Sequence, residues 1–203
     1  MIRLYDFELS GNCYKVRLLL SLLGLEWEPV TVDLMHGEER TAEFLRLNPR
    51  AQVPVLSDDD LVIWDSQAIL VYLARRYGDA SWLPEQAAPL AAVQQWLAVA
   101  GNEVLYGLAR TRAIVKFRRP GDLDDCRAMG ARALDLLENH LDTHDWLALE
   151  RRTVADVACY PYVALAGEGG FDLQTRPAIR RWMARVCNLP GYVTMPGLYT
   201  EPA

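Results

Sequence analysis

The sequence predicts a small α/β domain followed by an all-helical domain. In the first third of the chain, apolar residues switch between the period of a strand and the period of a helix. A stretch rich in Gly, Asp, Ser and Pro follows at 78–89, and beyond it only the helical period is found. A length of 203 residues leaves room for two small domains. We therefore predict domains over 1–77 and 90–203 with a linker over 78–89.

The first domain alternates strands and helices. The predicted elements are a strand at 2–5, a helix at 12–23, a strand at 28–32, a helix at 41–47, strands at 55–56 and 61–64, and a helix at 66–77. Gly24 ends the first helix, Asn48-Pro49 ends the second, and the turn residues of 57–60 join two strands into a hairpin. A strand, a helix and a strand this close together form a right-handed βαβ unit with parallel strands. The order βαβαββα is that of an α/β thioredoxin-like domain.

The second domain is predicted to be a helical bundle. Helical periodicity covers 90–117, 123–141, 153–165 and 177–187. Thr153 and Asp156 precede an apolar run with the spacing of a capping box, which satisfies free backbone N–H groups at a helix start. We therefore expect a structural role for these two residues.

Composition excludes several classes of function. The 21 basic and 27 acidic residues give a net charge of −6, which weighs against nucleic acid or an anionic membrane as a partner. No apolar run reaches the roughly 18 to 20 residues of a membrane span, and the N-terminus has no signal-peptide pattern. We expect a cytoplasmic protein. Four widely spaced cysteines without a CxxC motif and only three histidines predict no metal site.

Two short motifs predict a site for an extended peptide. A valine before a proline is extended, and Val53 in Gln52-Val53-Pro54 can offer its N–H and C=O to a peptide, above all if the Val53-Pro54 bond is cis. Asp65-Ser66 lies at the head of a predicted helix, where a carboxylate can bind an ammonium and a hydroxyl with free amides can bind a carboxylate. Together they suit a peptide that carries an amino-acid zwitterion at one end.

The first helix begins at a second candidate site, Ser10-Gly11-Asn12-Cys13. A thiolate is stabilised at a helix N-terminus, and a hydroxyl that donates to the sulfur would add to this effect. Ser10 and Asn12 are also common helix caps, so capping is the competing interpretation. Cys13 is either a nucleophile or a core residue, and we favour the core because it continues an apolar helical stripe through Val16 and Leu20.

Four motifs, in this order along the chain, resemble those of cytosolic-type glutathione transferases of the serine type, as found in bacteria. They are the active-site segment Ser10–Arg17, the glutathione-backbone segment Phe44–Leu56, the γ-glutamyl segment Asp65–Leu73 and the buried capping motif Thr153–Val157. The resemblance covers essentially the whole chain.

The resemblance implies how glutathione is bound. Val53 makes main-chain hydrogen bonds to the cysteinyl unit, with Pro54 cis. Asp65 and Ser66 hold the ammonium and the carboxylate of the γ-glutamyl unit, and Gln52 contacts the glycine end. Arg40, Arg46 and Arg50 are unranked candidates for the glycine carboxylate.

The resemblance also implies the activity. Ser10 faces the glutathione sulfur and Asn12 shares the thiolate contact, so the thiolate attacks a small hydrophobic electrophile in a detoxifying conjugation. Reduced glutathione is then a co-substrate, no metal is required, and the protein is a homodimer. Two alternatives stay open: glutathione-dependent reduction of peroxides or disulfides, and a non-catalytic binding module of the same fold.

The pocket for the second substrate is expected between the two domains, along the first long helix of the helical domain. Trp96 and Tyr106 either line this pocket or belong to the core or a subunit interface. A basic cluster at 110–119 is most simply a solvated face. The alternative is that it favours an anionic co-substrate.

Overall fold

A mixed sheet with helices on both faces forms the first part of the chain. The computed structural model describes residues 1–199. The strands are β1 (Ile2–Asp6), β2 (Glu28–Thr31), β3 (Val55–Asp58) and β4 (Leu61–Trp64), and the helices are α1 (Gly11–Leu22), α2 (Ala42–Leu47) and α3 (Ser66–Arg76). The predicted thioredoxin-like domain is confirmed, and its elements end within two residues of the predicted bounds.

The sheet has the strand order β2-β1-β3-β4. β1 is parallel to β2 and antiparallel to β3, and β4 pairs with β3 as the predicted hairpin. Leu4 and Leu56 point into the large core that also contains the buried residues of α1 and α3. On the opposite face, Val55 packs with Val32 and with Phe44 of α2 in a smaller cluster. The sheet is therefore a central layer, and the loops at the ends of its strands are left free to form a site.

Helices alone make up the second part, as predicted. They are α4 (Ala87–Gly101), α5 (Arg110–Phe117), α6 (Leu123–Leu141), α7 (Val154–Ala164) and α8 (Pro177–Cys187). None of the helices within residues 1–199 combines the length and the apolar character needed to cross a bilayer. Thr153 caps α7 in a capping box with Asp156, so the structural role expected for this pair is confirmed.

The predicted helix at 90–117 is not one regular α-helix. A π-helical segment, Glu103–Ala109, joins α4 to α5. Gly107 lies in this segment, and a Cβ there would come within 2.5 Å of the backbone nitrogen of Gly130 on α6. The sequence does not predict this segment for two reasons. The close approach of the two backbones is a tertiary contact, and the periods of a π-helix and an α-helix are too similar to be distinguished in the pattern of apolar residues.

The C-terminal residues pack back onto the first helix. The Tyr14 hydroxyl donates to the Val193 carbonyl at 2.6 Å, and the Ser21 hydroxyl donates to the Gly191 carbonyl at 2.6 Å. This segment lines neither of the two cavities described below. It therefore braces α1 from outside the candidate site.

Candidate functional site

Two cavities meet at the N-terminus of α1. The first, here called the polar cavity, has a volume of about 140 Å³ and lies between α1, the Val53-Pro54 loop, the start of α3 and the π-helical segment. The second, the basic cavity, has a volume of about 670 Å³ and lies between the β1–α1 loop and α5. Asn12 lines the polar cavity and Ser10 lines the basic cavity, so the start of α1 forms their common border.

The Val53-Pro54 loop presents a free section of backbone. The Val53-Pro54 peptide bond is cis, as the resemblance implied. Buried Asn48 braces the loop, because its Nδ2 donates to the Gln52 carbonyl at 2.7 Å and its Oδ1 accepts from the Arg50 N–H at 2.9 Å. Among residues 1–199, the N–H and the C=O of Val53 have no hydrogen-bond partner. Val53 can therefore pair with an extended peptide.

Asp65 combines a helix cap with an ion pair. Its Oδ1 accepts from the N–H groups of Gln67 at 2.9 Å and Ala68 at 3.4 Å, and its Oδ2 lies 3.2 Å from Nη1 of Arg50. The backbone is left-handed at this residue, with a φ of 79°. With a ψ of 124° it lies outside the left-handed helical region as well, and a strained residue in a cavity wall is typical of a functional site.

Ser66 and Asn12 are brought together although 54 positions separate them. The Ser66 hydroxyl, on a nearly buried side chain, points to the Asn12 Oδ1 at 3.5 Å. Lys15, one turn further along α1, also lines the polar cavity, and its ammonium lies 5.4 Å from the ring centre of Tyr162. Burial lowers the pKa of Lys15 to about 8, against the opposing effects of Cys159 and Asp65. The cavity thus contains both signs of charge and a hydroxyl.

Ser10 is the N-cap of α1. Its Oγ caps α1 by accepting from the Cys13 N–H at 3.3 Å, as the capping interpretation predicted. A hydroxyl that accepts one hydrogen bond can still donate one, so capping and a contact to a ligand sulfur are compatible. The first turn of α1 contains no acidic residue, which leaves the positive end of the helix uncompensated.

Tyr162 of α7 reaches the same helix start. Its hydroxyl accepts from the Asn12 N–H at 3.2 Å, and burial raises its pKa to about 12, which keeps it protonated at neutral pH. A Cβ at Gly11 would lie 2.6 Å from the Tyr162 ring, so a glycine is needed for this approach. Tyr162 and Ser10 therefore bring two neutral hydroxyl groups to the wall of the basic cavity.

Several residues that line the two cavities were not predicted from the sequence. Lys15 and Tyr162 lie in apolar helical stripes and were not distinguished from core residues, Gln67 matches no motif residue, and Asn48 was assigned only to the end of a helix. Of the three arginines that are candidates for the glycine carboxylate, only Arg50 lines the polar cavity. The residues that line it and had no predicted contact with a ligand are Lys15, Asn48, Gln67, Ala100, Gly101 and Leu105.

The two aromatic residues expected near the second substrate differ in position. Tyr106, 55% exposed, lines the polar cavity. Trp96 lines neither cavity and packs on the main core and on His140, with 4.7 Å between ring centres. Trp96 is therefore a partly buried residue at the edge of the core and not part of either cavity. No cluster of three or more potential metal ligands occurs within residues 1–199.

Cys13 is a core residue, as predicted. Its side chain is fully buried, and burial raises the pKa of the thiol to about 12. We expect iodoacetamide at pH 8 to leave Cys13 and the equally buried Cys159 unmodified in the folded protein, while exposed Cys187 reacts. Peptide mass spectrometry of the native and the urea-unfolded protein measures this. Modification of Cys13 in the native state would instead assign it a reactive thiolate.

Comparisons with known proteins agree with this geometry. The family model of the glutathione S-transferase N-terminal domain matches residues 1–75, and that of the C-terminal domain matches residues 108–190. A glutathione S-transferase structure from Xanthobacter autotrophicus is 35% identical, with a TM-score of 0.89, and the match covers 97% of this chain and 98% of that chain.

Two Escherichia coli proteins are similar over nearly the whole chain. Glutathione S-transferase GstB is 31% identical over 201 residues, which is 94% of this chain and 95% of GstB. Disulfide-bond oxidoreductase YfcG is 29% identical over 205 residues, which is 94% of this chain and 92% of YfcG. The family models, these relatives and the cis-proline cavity together show that the chain belongs to the glutathione S-transferase family.

Proposed function

We propose that the polar cavity binds reduced glutathione and that the basic cavity receives a small electrophile. The observation that carries the proposal is the pairing of an unpartnered Val53 backbone with the Asp65-Ser66 helix start in one cavity. Val53 pairs with the cysteinyl unit through main-chain hydrogen bonds. Asp65 binds the γ-glutamyl ammonium, and Ser66 with the first amides of α3 binds the carboxylate.

The glycine end of glutathione is assigned from the residues that lie near Val53. Gln52 and Arg50 lie on the same loop as Val53 and line the polar cavity, so the glycine carboxylate binds near them. Arg50 is held by Asp65 and by the Trp64 ring, with 5.8 Å from its guanidinium to the ring centre. Lys15 adds a positive charge deep in the cavity, which favours an anionic ligand.

Ser10 and Asn12 act on the sulfur. The extended tripeptide places its sulfur at the border of the two cavities, over the N-terminus of α1. Ser10 donates a hydrogen bond to the thiolate, Asn12 contributes its side-chain amide, and the helix end favours the negative charge. The thiolate then attacks the electrophilic carbon held in the basic cavity. A C–S bond forms, and the leaving group departs with its electron pair.

Substitution of Ser10 tests this assignment. We expect Ser10→Ala to lower kcat/KM for 1-chloro-2,4-dinitrobenzene by about 10- to 100-fold, because a hydrogen bond to a charged group contributes about 1.5–3 kcal/mol. We expect Asn12→Ala to have a smaller effect. Calorimetry in two buffers of different ionisation enthalpy measures the proton released when glutathione binds, and Ser10→Ala should reduce that release at pH 7. Unchanged turnover and unchanged proton release would remove Ser10 from the mechanism.

Glutathione-dependent disulfide reduction is the second candidate, and similarity to the relative named Disulfide-bond oxidoreductase favours it. A cysteine at the position of Ser10 could form a mixed disulfide with glutathione, but a serine cannot, and Cys13 is buried. A second glutathione would therefore have to supply the thiol that completes the reduction. Conjugation and reduction assays run side by side separate the two activities. Cys13→Ala is the control, and it should leave both activities unchanged. A loss of the reductase activity in this variant would show that the protein thiol takes part.

The proposal also covers the oligomeric state and the cellular location of the protein. The solvent-exposed strand β4 carries Leu61, Val62 and Trp64, each about two-fifths exposed. An apolar edge of this kind is a surface on which a second subunit packs. We infer a homodimer that acts in the cytoplasm in the detoxification of electrophiles. Sedimentation of the purified protein tests the dimer.

A further inference from the structure

The basic cavity contrasts in charge with the rest of the protein. Four cations line it, Arg112, Lys116, Arg118 and Arg119, and no carboxylate among residues 1–199 does so. Glu168 pairs with Arg112 and with Lys116 nearby, which leaves an excess of three positive charges from four cations and one anion. The whole chain carries a net charge of −6, so this excess is local.

The two inner cations are held by the protein. Arg112 is 3% exposed, donates through Nε to Glu168 and through Nη1 to the Leu9 carbonyl at 2.8 Å, and so fixes the loop that carries Ser10. Its Nη2 is buried without a partner in the described chain. Burial opposes ionisation of Glu168, but the hydrogen bonds from Lys116 and Arg112 lower its pKa, and it stays charged. Arg112 and Lys116 therefore share one carboxylate, and the three side chains together carry one positive charge.

The two outer cations are free. Arg118 and Arg119 are exposed at the end of α5, and neither has an ion pair within residues 1–199. Arg118 has a φ of 53°, at a helix end where glycine would be unstrained.

Most of the remaining cavity wall is apolar, and Ser10 and Tyr162 add two hydroxyl groups to it. The larger apolar residues are Phe7, Leu9, Leu34, Met35, Phe117 and Pro120. This wall suits an aromatic or aliphatic body, and the free cations lie around the same cavity. A neutral apolar electrophile would leave the charges of Arg118 and Arg119 unused.

We propose that the basic cavity selects electrophiles that carry a negatively charged group on an apolar body, with Arg118 and Arg119 as the residues that recognise the charge. The inference rests on the proposed function of the cavity and names its substrate class. The sequence placed these arginines in a basic cluster with Arg110 and Arg112. The structure separates that cluster, because Arg110 does not line the cavity and Arg112 is paired with Glu168.

A matched pair of electrophiles tests the proposal. The probes are 4-chloro-3,5-dinitrobenzoate and 4-chloro-3,5-dinitrobenzamide, which differ by one charge and little in shape. In both, the glutathione thiolate bonds to the ring carbon that carries chlorine, and chloride leaves with the bonding pair. Each kcat/KM is divided by the rate constant of the uncatalysed reaction, which removes the difference in intrinsic reactivity. We expect a preference for the benzoate of roughly five- to tenfold at low salt, as two partly exposed ion pairs would produce.

Variants assign the preference to its residues. The double variant Arg118→Gln/Arg119→Gln should bring the benzoate-to-benzamide ratio close to one. Arg110→Gln, which removes one exposed arginine of the same helix outside the cavity, should leave the ratio as in the wild type. Added NaCl at about 0.5 M should lower the wild-type ratio, because salt screens exposed charges. A wild-type ratio of one or less, or a ratio that survives in the double variant, would overturn the proposal.

Binding separates this inference from the proposed function. The glutathione conjugates of the two probes are prepared chemically, and their affinities are measured by calorimetry without turnover. Tighter binding of the carboxylate conjugate to the wild type, lost in the double variant, supports the charge selection even if neither probe is turned over. Equal affinities together with turnover of both probes would reject the charge selection and leave the transferase function standing.

Discussion

Replacement of Asp65 by asparagine is expected to weaken the binding of glutathione by about 10- to 100-fold, because a hydrogen bond between charged groups contributes about 1.5–3 kcal/mol. Asparagine has nearly the shape of aspartate and can still cap α3, so the protein should keep its fold. Asp65→Ala removes the charge and the cap and places an alanine in a strained conformation. It should therefore bind more weakly still and lose about 1–2 kcal/mol of stability.

Calorimetric titration with reduced glutathione measures both variants, and thermal unfolding separates loss of binding from loss of fold. Asp60→Asn is the matched control, because it neutralises an exposed carboxylate in the turn between β3 and β4 that does not line the polar cavity. It should bind glutathione as the wild type does. If Asp65→Asn also binds as the wild type does, the γ-glutamyl ammonium is not held by Asp65.

The largest expected loss of stability is at Asp156. This carboxylate is 1% exposed and accepts from the N–H groups of Leu147 at 3.1 Å and Thr153 at 2.8 Å and from Trp182 Nε1 at 3.0 Å. It therefore joins the loop before α7, the helix start and α8. Asp156→Ala leaves these three donors and the Thr153 hydroxyl, four buried donors in all, without their acceptor, and we expect a loss of roughly 3–5 kcal/mol in the free energy of unfolding.

Urea unfolding measures this loss. Since a loss of that size can prevent folding altogether, Thr153→Val is a milder variant of the same cap, with an expected cost of about 1–2 kcal/mol. It removes the hydroxyl that accepts from the Ala155 N–H and donates to Asp156. Asp124→Ala, on the exposed side of α6, is the control and should stay within about 0.5 kcal/mol of the wild type. A loss below 1 kcal/mol for Asp156→Ala would show that the cap is dispensable.

Local patterns were sufficient for most elements of the fold. Helix starts at Ser10, Thr41 and Thr153 are marked by residues whose side chains accept from the first free N–H groups, and the structure contains all three caps. The hairpin between β3 and β4 follows from its turn residues. The π-helical segment at Glu103–Ala109 does not follow from a local pattern, because it depends on the packing of Gly107 against α6.

The residues of the site also divide into those that a local pattern indicates and those that only the packing of the chain places there. Val53, Asp65 and Ser66 have a chemical meaning in the sequence, because a valine before a proline is extended and a helix start binds anions whatever surrounds them. Lys15 and Tyr162 have none, because in an apolar helical stripe a residue that faces a cavity and a residue that faces the core look the same. Their position depends on the contact between α1 and α7, which Gly11 allows.

By itself, the sequence determined the two-part architecture, the family resemblance and the residues that match its motifs, because these depend on local backbone preferences and on residue order. Only the tertiary structure decided that Ser10 and Asn12 line different cavities and that Arg50 is the arginine at the polar cavity. It also decided that Arg112 is paired with Glu168, while Arg118 and Arg119 have no ion pair within residues 1–199. The physical reason is that pairing and exposure of a charge depend on neighbours distant in the chain. Glu168 meets Arg112 across 56 positions, and no local pattern records that contact.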